Sequence, residues 1–134
     1  MDISHLRQLS KEGAARRAEE ERQAEEKRRA DVQQAIQKEL EAEWARARGA
    51  VEGLNAVIQR AAESGERTTR VYGAGRSSFL EFHQSKWNPN KWKYTVPDYA
   101  QYVYDHCKRA GLHPRWEVCY SYHPGHTLQL YVKW

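Results

Sequence analysis

The first half of this sequence contains almost nothing large and apolar. Of fifteen Trp, Tyr and Phe residues, only Trp44 precedes residue 71, and from Lys11 to Asp31 no apolar side chain is larger than alanine. Such a stretch has little to bury and offers no core of its own. Long hydrophobic runs are also missing, since no segment approaches the roughly 18 apolar residues of a membrane helix. The opening Met1-Asp2-Ile3-Ser4-His5 lacks the charged region and apolar stretch of a secretory signal. Cysteine is scarce. Cys107 and Cys119 are too few for a disulfide scaffold, so a reducing compartment is the expectation. These absences together suggest a cytoplasmic protein with no membrane partner.

What is present divides unevenly. Residues 1–65 hold 12 Lys/Arg against 13 Asp/Glu, whereas residues 66–134 hold 10 against 5. The positive charge therefore lies on the aromatic half. Clustered cations raise the local concentration of anions, which points to an acidic partner. The composition suggests a helical arm over 1–65 and a compact, basic, aromatic-rich domain over 66–134.

In the arm, Glu12–Arg16, Arg16–Glu20, Arg17–Glu21, Arg22–Glu26 and Glu25–Arg29 are opposite charges four residues apart. Each supports a solvated helix by about 0.2–0.5 kcal/mol. Ser10 is a candidate N-cap. Beyond Asp31, Val32, Ile36, Leu40, Trp44, Ala47, Val51, Leu54, Ile58 and Ala61 advance by threes and fours. That period draws one apolar stripe along a helix face between 32 and 62. The stripe must be covered, either by a second copy or by the chain's own second half. Self-association, with a dimer favoured, would use Val32, Ile36, Leu40, Trp44, Val51, Leu54 and Ile58 in a coiled-coil-like contact. Gly49 and Gly53 imply either close backbone approach or a kink. Ser64-Gly65 is a stop signal.

The second half reads as α+β with a mainly antiparallel sheet. Strands are expected near 66–72 and 78–83, with turn chemistry at Trp87-Asn88-Pro89-Asn90. Thr95 and Asp98 have capping-box spacing, and Pro97 suits a first turn. The helix that follows would bury Tyr99, Val103, Cys107 and Ala110, with Gly111 closing it. A C-terminal β-hairpin is the clearest local feature. Trp116, Val118, Tyr120 and Tyr122 alternate with Arg115, Glu117, Cys119 and Ser121. Leu128, Leu130, Val132 and Trp134 alternate with Thr127, Gln129, Tyr131 and Lys133. Strict alternation requires even positions to pair with even ones. One such register sets Tyr120 opposite Leu128 and Val118 opposite Leu130, across a three- or five-residue turn.

The candidate binding residues are Lys86, Trp87, Lys91, Trp92, Lys93 and Tyr94, with His123 and His126 from the hairpin turn. Cations beside flat rings suit an acidic protein surface, and they also suit a nucleic-acid strand. No cofactor is implied. His106, Cys107, His113, Cys119, His123 and His126 fall close together in sequence, but paired ligand spacing is missing except at His123 and His126, so no metal is assigned. Catalytic readings are weak. Phe82-His83-Gln84-Ser85 resembles half of a two-histidine phosphoesterase motif whose second half is absent. The function expected is that of a non-catalytic interaction protein binding an acidic protein partner. Nucleic-acid binding is the alternative, and a small hydrolase or nuclease using His83, His123 and His126 is a third. The layout loosely resembles small phage-encoded proteins, which would imply an inhibitor of a host protein or a virion component.

Overall fold

The structure is a computed structural model that describes residues 2–74, 81–84, 92–119 and 126–134. Its elements are α1 (Ile3–Glu52), α2 (Leu54–Glu63), β1 (Thr68–Ala74), β2 (Glu81–Gln84), β3 (Trp92–Thr95), α3 (Asp98–Arg109), β4 (His113–Cys119) and β5 (Thr127–Lys133). The fold is α+β: a long N-terminal helix, then a small domain with an antiparallel sheet, a helix and a C-terminal strand. No helix among the described residues is long and apolar enough to cross a membrane. The chain divides into two compact units, Met1–Leu40 and Glu41–Trp134.

The first unit is helical and solvated. Asp2 rather than Ser10 caps it, its carboxylate accepting from the backbone N–H of Ser4 at 3.0 Å. Asp2 lies just outside the helix and can reach the free N–H groups of the first turn, whereas Ser10 lies within the helix. Arg22 bridges Glu19 and Glu26, and Glu25 faces both Arg28 and Arg29. The Arg22 guanidinium holds the Glu19 carboxyl below its ordinary pKa. Val32 is 58% exposed and Ile36 is 39% exposed.

In the second unit the apolar stripe continues into a core. Ala47, Leu54 and Ala61 are buried there, while Val51 and Ile58 are half-buried. Trp44 sets its ring against Tyr99 at 6.4 Å and Tyr102 at 5.7 Å, both on α3. Residues 41–65 therefore belong with the aromatic half by contact, although their composition resembles the arm. Gly53 separates α1 from α2, yet the hydrogen-bond ladder runs through it, from Gly53 N–H to the Gly49 carbonyl and from Val57 N–H to the Gly53 carbonyl. A Cβ on Gly53 would lie 3.4 Å from that Gly49 oxygen, whereas Gly49 itself has open space. Gly65 and Gly111 close α2 and α3, both at φ +84°, where glycine carries no steric penalty.

The main sheet has the order β1-β5-β4, with both pairings antiparallel. Even positions do pair with even ones, but Trp116 lies opposite Leu130 and Val118 opposite Leu128. The hairpin is thus offset by two residues from the register set out above, a slip that alternation alone permits. Leu128, Leu130 and Val132 on the central strand are at most 1% exposed. They form the core with Tyr72 and Ala74 of β1 and with Tyr99, Ala100, Val103 and Cys107 of α3. Ala110 is exposed as the C-cap of α3. The Tyr104 and Trp116 rings stack at 14° between α3 and β4.

Two further local expectations are corrected. Trp92–Thr95 is a strand, β3, pairing with β2 in a separate two-stranded sheet. The alternation of Lys93 and Thr95 with Trp92 and Tyr94 is a strand pattern that the preceding Asn and Pro residues obscured in the sequence. Thr95 consequently forms no capping box. Pro97 is the N-cap of α3, without a side-chain cap bond.

Leu54 is 2% exposed, so Leu54→Ala should lower unfolding free energy by about 2–5 kcal/mol in chemical denaturation. Burial pushes the Cys107 thiol up from 9.0 to about 11, against a smaller backbone hydrogen-bond effect in the other direction. The folded state therefore holds this proton more tightly than the unfolded chain does. The stability it contributes is complete below about pH 9 and is lost as pH rises toward about 11. Tyr72 acts in the same sense, because burial, then the nearby Glu43, raises its pKa. Thermal melts across that range should show a falling Tm, and Cys107→Ala should flatten the fall.

Candidate functional site: the outer face of the sheet

Alternation on three paired strands decides which side chains share the outer face. Thr68, Lys133 and His113 lie side by side across β1, β5 and β4. The next outward row is Arg70, Tyr131 and Arg115. Beyond a bulge between Arg70 and Tyr72, Gly73, Gln129 and Glu117 continue the face. The bulge adds Val71 to β1 and keeps Tyr72 opposite Leu130 on the inner side. Pro114 is tolerated because β4 is an edge strand among the described residues.

Thr68, Arg70, His113, Arg115 and Lys133 are exposed, and Tyr131 between them is half-buried. Directly opposed side chains have Cβ atoms about 4.5–5.5 Å apart, so each arginine neighbours the ring. The Tyr131 hydroxyl donates to Gln129 Oε1 at 3.1 Å. Arg115 pairs with Glu117 at 2.6 Å, with both side chains well exposed. Arg67, Arg70 and Lys133 have no ion-pair partner among the described residues. A groove of about 540 Å³ runs over this end of the sheet, lined by Arg67, His113, Arg115, Tyr131 and Lys133 among others. It is a cationic surface with a flat ring at its centre.

A second polar cluster lies on the helical side and is structural. Arg46 donates to the Glu43 carboxylate at 3.1 Å and to the Gly73 carbonyl at 2.9 Å, tying α1 to β1. Glu43 is 8% exposed. The Tyr72 hydroxyl beside it is buried and has no hydrogen-bond partner among the described residues.

The residues proposed from sequence are placed as follows. Lys86, Trp87, Lys91 and His123 lie outside the described residues. Trp92 and Lys93 sit on β3, opposite Gln84 and His83. Tyr94 is half-buried opposite Phe82, and His126 is half-buried just before β5. Among the seven stripe residues, Val32 and Ile36 are exposed, Leu40, Trp44, Val51 and Ile58 are half-buried, and Leu54 is buried. Cys107 is fully buried, whereas Cys119 is half-buried on the outer face. Among the described residues, no three His, Cys, Asp or Glu side chains come together as metal ligands would.

Sequence reasoning missed Arg67, Arg70, Arg115, Tyr131 and Lys133 as a group. The outward set of the hairpin is readable by alternation. The pairing of β1 with β5, which brings Arg70 beside Tyr131, is long-range and leaves no local signal. Comparison of the chain with protein-family models, with curated proteins and with solved structures gave no match.

Proposed function

We propose that this is a non-catalytic interaction protein that presents the outer face of its sheet to an anionic macromolecule. The observation that carries the reading is the row Arg70–Tyr131–Arg115, two exposed arginines on either side of a half-buried ring, flanked by exposed Lys133 and His113. Unpaired cations on a wet surface contribute little to folding, and Arg67, Arg70 and Lys133 have no ion-pair partner among the described residues. Their grouping raises anion concentration and association rate at that face. The basic aromatic character anticipated for residues 86–94 thus has a second location on described residues. Self-association does not enter this reading. Most of the stripe is covered within the second unit, and Val32 and Ile36 fall short of the three or four heptads a coiled coil sustains.

The test is amide chemical-shift mapping during titration with a polyanion, using polyglutamate and a short oligonucleotide in parallel. Shifts should concentrate on Arg70, Arg115, Tyr131 and Lys133, and affinity should fall linearly in a log–log salt plot. Arg70→Gln with Arg115→Gln should weaken binding at least about tenfold, the equivalent of roughly 1.4 kcal/mol. Lys108→Gln with Arg109→Gln, at the exposed end of α3, should leave it unchanged. Glu117→Gln should strengthen binding by releasing Arg115, with a stability change within about 1 kcal/mol. Shifts centred on Lys108 and Arg109 would assign the anion site elsewhere and defeat the proposal.

A further inference from the structure

The outer face has a chemical composition that narrows the partner. Protein–protein interfaces draw most of their affinity from aromatic and aliphatic anchors that become fully desolvated at the centre of the contact. The described outer face offers Arg70, His113, Arg115, Gln129 and Lys133 around one ring, and its apolar material is limited: half-buried Cys119, with Pro114 and Val132 at the edge of the groove. That is poor material for gripping a folded acidic protein. It suits a partner made of flat rings joined by regularly spaced negative charges.

We infer that the Arg70–Tyr131–Arg115 row is a binding platform for single-stranded nucleic acid, an inference that rests on the anion-binding reading of the same face. Tyr131 supplies a stacking surface for a base. Its hydroxyl bond to Gln129 at 3.1 Å restrains the ring, so less side-chain freedom is lost on binding. Neighbouring strands lie about 4.7–4.9 Å apart, so Arg70 and Arg115 flank the ring where the phosphates on either side of a stacked nucleotide would pass. The groove of about 540 Å³ lined by Arg67, His113, Arg115 and Lys133 falls within the size range of small-ligand pockets and accommodates a nucleotide unit. A duplex is a poorer match, because paired bases hide their faces in the stack and a sheet face offers no protruding element to enter a groove.

The experiment is fluorescence anisotropy on the full chain with a labelled oligothymidine of about 12 nucleotides. A duplex of the same length and polyglutamate serve as competitors. The single strand should bind most tightly. Tyr131→Ala should weaken it about 5- to 100-fold, as expected for loss of one base–ring stack, while polyglutamate affinity stays the same. Tyr131→Phe should retain binding. Tyr131→Leu keeps bulk on the central strand without a π face, so it should show the same loss of about 5- to 100-fold for the single strand, and it stands in for the alanine variant should that one fold poorly. If polyglutamate or the duplex competes as well as the single strand, or if Tyr131→Leu binds it normally, the strand-binding inference is overturned while the anion face stands. If none of the three polyanions binds, both fall together.

Discussion

The second unit depends on one constraint, the strict alternation of β5 between two neighbours. Leu128, Leu130 and Val132 must face the helices, which forces Thr127, Gln129, Tyr131 and Lys133 to the other side. A slip by one residue would exchange the two sets, burying a lysine and exposing two leucines. The core and the candidate site are thus two faces of the same seven residues. A substitution that loosens the inner set also moves Tyr131 and the cations beside it.

Local patterns were legible and long-range ones were not. The α3 face of Tyr99, Val103 and Cys107 is readable because helical spacing repeats every three or four residues, and all three are buried. Hairpin parity is readable for the same kind of reason. The register was offset by two because Val118 can face either Leu128 or Leu130 with apolar sides still matched. The boundary at Glu41 was hidden because residues 41–65 have the composition of the arm but the contacts of the domain. Strand β3 was hidden by the Asn88-Pro89-Asn90 composition that precedes it in sequence. The juxtaposition of Arg70 with Tyr131 follows only from the pairing of β1 with β5, which no short window contains.

The apolar stripe shows how one periodic signal can serve two environments. At Val32 and Ile36 it faces solvent, whereas at Ala47, Leu54 and Ala61 it is part of the core. Nothing in the spacing marks the change. Trp44 does mark it, because its ring needs large flat neighbours and finds them in Tyr99 and Tyr102. An aromatic residue within an otherwise Glu-, Arg- and Ala-rich helix was therefore a better guide to docking than the stripe itself.

The sheet order also has a kinetic meaning during synthesis. Thr68 of β1 pairs with Lys133 of β5, so β1 leaves the ribosome well before its only strand partner among the described residues. At typical elongation speeds of about 5–20 residues per second, the interval is on the order of 3–13 s. Through that time β1 carries two unpaired edges, the condition under which strands are drawn into aggregates. Arg70 and the flanking Arg67 place positive charge on this waiting strand. The cations proposed for partner recognition would then have an earlier task, keeping nascent chains apart until the centre of the sheet arrives.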